Sequence, residues 1–106
     1  MKAEMIKACY HDLGVKPIMA DMIHWNGVIL EIEVILKHFE KWAKPTKVNL
    51  GMICGPGYGS MIKPEPLGVS LVMSAWNYPY YTGIPYVAMC IAAGNCVLYK
   101  PSERAV

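Results

Sequence analysis

The spacing of apolar residues changes along the chain and predicts two kinds of element. From about Lys16 to Ala43 an apolar residue recurs every three or four positions, which predicts an amphipathic helix of roughly seven turns that stops at Pro45. A stripe of this length is typical of a buried core or of a subunit interface. A shorter helix is predicted over Met1–Leu13, ending at Gly14. The apolar positions of the long helix are Ile18, Met22, Trp25, Ile29, Ile32, Leu36 and Phe39.

Two short strands are predicted next, around a loop rich in glycine and proline. They cover Lys47–Ile53 and Ser60–Lys63, and the loop between them is Gly55–Gly59. A dinucleotide fingerprint needs a sixth-position glycine and a following helix, but that position is Ser60 and no helical periodicity follows. We therefore interpret the segment as a β-hairpin.

The last forty residues have the pattern of a strand, a helix and a second strand. The apolar runs Leu67–Met73 and Cys96–Tyr99 predict two buried strands. The segment Tyr81–Ala93 between them predicts a helix, with Pro85 in its first turn and Gly94 after its end. We therefore predict an α/β fold that ends in a right-handed βαβ unit with parallel strands. Its segments are helical (1–45), hairpin (46–65) and βαβ (66–106), together forming a single incomplete domain over 1–106.

Composition and charge exclude several classes of protein. Apolar residues make up 55% of the 106 and charged residues 17%, which excludes a disordered chain. The net charge of +2 is too small to indicate a nucleic-acid partner. Lysines between 37 and 47 alternate with glutamates at helical spacing, as on a solvated helix face.

The chain gives no sign of a membrane span or a metal site. The uncharged stretch between Pro66 and Tyr99 is divided by prolines, glycines and asparagines into pieces shorter than the roughly 20 residues that a bilayer requires. The four cysteines form no C-x-x-C pair and have no zinc-finger spacing to the histidines, so we expect no metal and interpret Cys90 and Cys96 as small core residues. No signal peptide is visible, so we expect a cytoplasmic protein with reduced thiols.

Polar residues follow both predicted strands of the βαβ unit at their carboxyl ends. Ligands of open α/β sheets bind at that edge, so Ser74–Pro79 and Lys100–Glu103 are expected to face one crevice. The amide of Asn77 could donate to an oxygen on which charge develops, or it could cap a helix or close a turn. Lys100 and Glu103 could bind ribose hydroxyls, or they could form a surface salt bridge beside a helix cap at Ser102.

The segment that contains these residues resembles the aldehyde dehydrogenase superfamily. The motifs PEPLGV, WNYP, AAGN and KPSE occur in the order and spacing of the class 3-like, fatty-aldehyde branch. The upstream stretch LKHFEKWAKPTKV is also similar to that branch. The resemblance covers nearly the whole chain, and it implies that the βαβ unit begins a Rossmann-like cofactor-binding domain.

The resemblance also implies roles for individual residues. Asn77 would stabilise the oxyanion of the thiohemiacetal, and Tyr78 would border the pocket for a small-molecule aldehyde. Trp76, with Ser74 and Ala75, would line the path of the nicotinamide half of the cofactor. Lys100 and Glu103 would hold the adenosine ribose, and Pro101 and Ser102 would shape that turn. The resemblance does not decide between NAD and NADP as the cofactor, because an acidic residue favours NAD whereas Lys100 could accept a 2′-phosphate.

Two functions follow from the resemblance. The family's cysteine nucleophile and glutamate base lie downstream of these motifs, and none of Cys9, Cys54, Cys90 and Cys96 matches the nucleophile. We expect the amino-terminal portion of an NAD(P)-dependent aldehyde dehydrogenase that oxidises aldehydes to carboxylic acids, with homo-oligomers formed by the full-length protein. The 106 residues alone are expected to be inactive. The alternative is a truncated, non-catalytic chain that binds or pairs with a longer homologue.

Overall fold

Helices form the first part of the chain, and a strand–helix–strand unit forms the last. The structure is a computed structural model that describes residues 1–49, 51, 55 and 57–105. Its elements are α1 (Lys2–Leu13), α2 (Pro17–Met19), a π-helix (Ala20–Gly27), α3 (Val28–Trp42), β1 (Thr46–Val48), β2 (Ser60–Ile62), β3 (Val69–Met73), α4 (Ile84–Ala92) and β4 (Cys96–Lys100).

Helix α1 ends where the sequence predicts. Gly14 follows it in the left-handed conformation, with φ of 64°, and its amide N–H donates to the last carbonyl groups of the helix. Glycine adopts this conformation without the steric cost that a Cβ atom adds.

The long helix is present, but its segment Ala20–Gly27 is a π-helix that the apolar spacing did not predict. Asn26 Nδ2 donates to Asp21 Oδ1 over 3.3 Å, a contact between residues five apart, as a π-helix allows. The Tyr81 ring packs against Gly27 so closely that a Cβ at position 27 would lie 3.1 Å from Cε2. This glycine therefore permits the helix to approach the βαβ unit.

The predicted apolar stripe of the long helix coincides only in part with the face that the described structure buries, because Trp25, Ile32 and Phe39 are half-buried. Ile18, Met22, Ile29 and Leu36 are exposed. The buried positions are Ala20, His24, Val28 and Ile35. The four exposed positions were predicted wrongly because the π-helix turns the chain by less per residue than the 3.6-residue period assumed, which rotates the packed face.

Strands β3 and β4 are parallel, as predicted, and α4 lies between them in the chain. Their register pairs Val69 with Cys96 and Met73 with Lys100. The side chain of Asn95 closes the start of the pair, since its Oδ1 accepts from the Gly68 amide over 2.9 Å. Helix α4 carries Pro85 in its first turn and ends before Gly94, but it begins at Ile84 rather than at Tyr81. Strand β4 includes Lys100 and so extends one residue beyond the prediction.

The strands are less buried than predicted. Val72 is buried, whereas Val69, Leu71 and Met73 on the other face of β3 are all more than half exposed. Cys96 at the start of β4 is exposed as well, contrary to its interpretation as a core residue. The reason is that α4 covers one face of this two-stranded sheet, and no other described element packs on it.

The hairpin forms by antiparallel pairing of β1 and β2. Thr46 lies opposite Ile62, and Val48 lies opposite Ser60. The predicted first strand extended to Ile53, and residues 50, 52–54 and 56 lie outside the described part of the chain. Within the described residues the hairpin packs against no other helix or strand.

Candidate functional site

The two predicted polar segments leave the sheet at the same edge. Met73 and Lys100, the last residues of β3 and β4, are register partners. The amide of Ser74 continues this pairing, since it donates to the Lys100 carbonyl oxygen over 3.0 Å. The segment Ser74–Gly83, which we call the rim loop, and the segment Pro101–Ala105, which we call the rim turn, therefore start side by side.

Ser74 ties the beginning of the rim loop to its middle. Its side chain is buried, with 8% exposed. The hydroxyl donates to the Pro79 carbonyl oxygen over 2.9 Å and lies 3.1 Å from Thr82 Oγ1. The hydroxyl is thus occupied inside the loop, whereas the resemblance implies that Ser74 lines the cofactor path.

Thr82 connects the same loop from its other end. Its Oγ1 accepts from the Ala75 amide over 3.2 Å and donates to the Tyr78 carbonyl oxygen over 2.8 Å. The Thr82 amide donates to that carbonyl as well, over 2.8 Å. Two hydroxyl groups therefore close the rim loop on itself.

Asn77 lies at the exposed tip of this closed loop. Its side chain forms no hydrogen bond with any residue that the structure describes. It does not cap α4, because the cap position belongs to Gly83 and no side chain bonds there. Trp76 beside it is about half exposed. Both donor positions of the amide are free to meet a ligand.

His24 of the π-helix lies beneath the rim loop. Its ring is 1% exposed, and neither ring nitrogen has a hydrogen-bond partner among the described residues. The ring centroids of Tyr78 and Tyr80 lie 5.6 and 6.1 Å from that of His24. Burial lowers the pKa of His24 from its ordinary value, because the charged ring would lack water. The His24 ring therefore packs beneath both tyrosine rings, and burial favours its uncharged form.

The end of β4 and the rim turn are joined by the surface salt bridge that the sequence left as an alternative. Lys100 Nζ and Glu103 Oε2 lie 2.9 Å apart, and both side chains are mostly exposed. A backbone amide hydrogen bond, and then the hydrogen bond and charge of Lys100, lower the pKa of Glu103. Ser102 Oγ accepts from the Arg104 amide over 3.3 Å, so it stabilises the turn.

A cavity of about 270 Å³ lies beside the rim and joins both segments to α1. Pro101 lines it, as do Tyr80 of the rim loop and Cys9 and Asp12 of α1. Desolvation first, and the Asp12 charge second, raise the pKa of the buried Cys9 thiol. Asn77, Lys100 and Glu103 do not line this cavity; they face the surface outside it.

Sequence reasoning missed two residues that shape the site, Thr82 and His24. A signal for Thr82 was present, because a threonine shortly before a helix often bonds to nearby backbone groups. His24 lies four residues from both Ala20 and Val28, so it shares their buried face, but the predicted apolar stripe did not include it.

Over residues 1–49, 51, 55 and 57–105, no group of three or more His, Cys, Asp or Glu side chains could hold a metal ion. In the same residues, no helix has the length and hydropathy needed to cross a membrane.

Known proteins resemble this chain along most of its length. It is 38% identical to aldehyde dehydrogenase family 3 member H1 of Arabidopsis thaliana, over 96% of this chain and 21% of that protein. It is 45% identical to family 3 member A2 of Macaca fascicularis, over 72% of this chain and 16% of that protein.

A solved structure shares the fold. It is described as "Substrate bound state of Staphylococcus Aureus AldH", and it superposes with a TM-score of 0.89 at 30% identity, covering 96% of this chain and 22% of that one. The chain thus spans about a fifth of the length of these relatives. The profile of the aldehyde dehydrogenase family matches residues 1–106. This chain therefore belongs to the aldehyde dehydrogenase family.

Proposed function

We propose that this chain supplies the oxyanion donor and part of the cofactor site of an NAD(P)-dependent aldehyde dehydrogenase. The observation that carries the proposal is the position of Asn77, whose side-chain amide has no hydrogen-bond partner among the described residues and lies at the carboxyl edge of a parallel strand pair. In this proposal β3, α4 and β4 form the start of a Rossmann-like domain with a right-handed crossover. Two facts support it: ligands of such sheets bind at this edge, and the family match covers the whole chain.

Asn77 is proposed to act on the aldehyde oxygen. When a nucleophile attacks an aldehyde carbon, negative charge develops on the oxygen, and a preorganised N–H donor lowers the energy of that state. The amide of Asn77 satisfies the two requirements of such a donor: it has no competing partner among the described residues, and a closed loop carries it. Tyr78, the next residue, is proposed to border the aldehyde and is supported from below by His24.

Lys100 and Glu103 are proposed to hold the adenosine ribose. Their exposed ammonium and carboxylate groups provide a donor and an acceptor side by side, which suits the hydroxyl pair of a ribose. Pro101 and Ser102 would shape the turn, and Ala75 and Trp76 would border the nicotinamide path. Ser74 fits a different role from the one expected, because its buried hydroxyl is bonded within the loop. The bound cofactor would accept the hydride that leaves the aldehyde carbon.

The aldehyde and a homo-oligomeric assembly are part of the same proposal. The proteins to which this chain is similar include family 3 aldehyde dehydrogenases, and the uncovered face of β3 leaves apolar surface for further packing. A contiguous exposed apolar surface is typical of an interaction site.

The test is turnover by the full-length product of the gene that encodes this chain. Asn77→Ala should lower the rate of aldehyde oxidation about 10²–10³-fold, since it removes the oxyanion donor. Asn77→Asp keeps the shape of the side chain but places a negative charge there, so it should be no more active. Asn26→Ala removes an exposed amide from the π-helix and should leave the rate unchanged. Unaltered single-turnover rates in Asn77→Ala would exclude this residue from the mechanism, and no oxidation of any aldehyde by the wild type would favour a non-catalytic protein.

A further inference from the structure

The hydroxyl groups of Ser74 and Thr82 bond to each other and to backbone groups of Ala75, Tyr78 and Pro79. Ala75 is held through its amide, and Tyr78 is held through its carbonyl group, both by Thr82 Oγ1. Asn77 lies between these two attachment points and has no hydrogen bond of its own to another described residue. Its position is therefore determined by the closure on either side of it.

Each hydrogen bond of Thr82 fits one conformation of the loop. Thr82 Oγ1 accepts from the Ala75 amide, before Asn77, over 3.2 Å, and it donates to the Tyr78 carbonyl oxygen, after Asn77, over 2.8 Å. The two hydrogen bonds therefore span the tip of the loop. The Thr82 amide bonds to the same carbonyl oxygen, and Thr82 lies two residues before the start of α4 at Ile84, so the closure is directly next to a regular helix. A loop that is closed beside a rigid element holds its tip more accurately than a free loop can.

We infer that Thr82 is a positioning residue that holds the Asn77 amide in the geometry of an oxyanion donor. The inference rests on the proposed function of Asn77. Thr82 does not touch the substrate; its hydroxyl acts through the backbone of Ala75 and Tyr78 and through its contact with the Ser74 hydroxyl. Small displacements of a catalytic group have large effects on rate, about 10²-fold for a shift of the order of 1 Å.

The variants Thr82→Val and Thr82→Ser separate the hydroxyl from the packing of the side chain. Valine keeps the branched shape but lacks the oxygen, so the Ala75 amide loses its acceptor and the Tyr78 carbonyl loses one donor. Serine keeps both bonds. We expect Thr82→Val to lower kcat about 10- to 10²-fold while the KM for the cofactor stays the same. Thr82→Ser should restore most of the wild-type rate.

Two further measurements distinguish positioning from general stability. Hydrogen exchange of the Ala75 amide should become faster in Thr82→Val, while amides of β4 exchange as in the wild type. Adding Thr82→Val to Asn77→Ala should cause little further loss, because the group being positioned is already absent.

The outcomes separate this inference from the proposed function. If Asn77→Ala impairs turnover while Thr82→Val changes neither turnover nor Ala75 exchange, the inference is wrong and the proposed function stands. Equal losses from Thr82→Val in the presence and absence of Asn77 would also contradict it. If Asn77→Ala is fully active, the oxyanion role fails, and the positioning role fails with it, whatever the exchange data show.

Discussion

The rim loop and the rim turn begin at the same edge of the same strand pair, but they are held in different ways. The rim loop is closed by hydrogen bonds from the buried Ser74 hydroxyl and from Thr82. The buried ring of His24 supports it from below. The ion pair of Lys100 and Glu103 is mostly exposed to solvent. Buried hydrogen bonds are costly to lose, whereas exposed ion pairs contribute little to stability. If the proposed function is correct, the rim loop would be a preorganised donor and the rim turn beside it an adaptable binding turn.

This difference suits the two tasks that we propose. An oxyanion donor must have its geometry before the charge develops, because reorganisation during the reaction would raise the barrier. A lysine and a glutamate on a surface turn can exchange their mutual contact for contacts with a ribose, since water already screens their attraction. Each segment should therefore depend on a different set of contacts.

The largest effect is expected from Gly83→Ala, where the rim loop meets β4. A Cβ at position 83 would overlap the phenol oxygen of Tyr99 and lie 2.9 Å from Cζ, so the ring would have to move. Forced overpacking of this kind typically costs about 1–3 kcal/mol, and we expect the free energy of unfolding to fall by about 3 kcal/mol. Gly59→Ala is the control, because a Cβ there would meet nothing within 4 Å. Equal denaturant midpoints for the two variants would show that Tyr99 yields without cost.

Ser74→Ala should follow, with a loss of about 1–3 kcal/mol in the free energy of unfolding. The substitution removes the bond to the Pro79 carbonyl oxygen and the contact with Thr82 in a buried place. Ser70→Ala, in β3, is the matched control, since the Ser70 side chain is half-buried and forms no hydrogen bond within the described residues. Chemical denaturation measures both. A Ser74 variant as stable as the Ser70 variant would mean that the loop closure contributes nothing.

Acid should weaken the support beneath the rim loop through His24. Burial lowers its pKa in the folded protein, so the unfolded chain takes up the proton more readily. The free energy of unfolding should therefore decrease as the pH falls below the ordinary histidine pKa of about 6.5. His24→Phe should remove this part of the acid sensitivity, whereas His38→Gln, on α3 beside Trp42, should retain it. Identical pH profiles for wild type and His24→Phe would contradict the assignment.

The order of elements and the shared edge were predictable because short-range patterns determine them. Pro85 and Gly94 mark the ends of a helix, and two apolar runs on either side of it imply parallel strands, which place Asn77 and Lys100 at one edge. What could not be predicted depends on contacts between distant segments. The π-helix that buries His24 has no signature in a 3.6-residue pattern.

The burial of the sheet was overestimated for a related reason. A continuous apolar run such as that of β3 indicates a strand covered on both faces, but it does not say which segment provides the cover. In the described structure α4 covers the face of Val72 and leaves that of Leu71 exposed. The closure of the rim loop by hydroxyl groups could not be predicted either, because the spacing of Ser74 and Thr82 in the sequence is not distinctive and their side chains meet only when the loop between them is folded.

The smallest effect on stability is expected from breaking the ion pair of the rim turn. Lys100→Met should leave the melting temperature unchanged, because the pair is exposed, but it should raise the KM for the cofactor about tenfold or more through the lost ribose contact. Lys63→Met is the control: Lys63 and Glu65 form an exposed pair of similar length, 3.1 Å, away from the sheet edge. If both lysine variants shift the cofactor KM equally, the effect reflects net charge and not a binding turn. If Lys100→Met lowers the melting temperature as much as Ser74→Ala, the two segments are held alike, and the contrast between a preorganised loop and an adaptable turn is wrong.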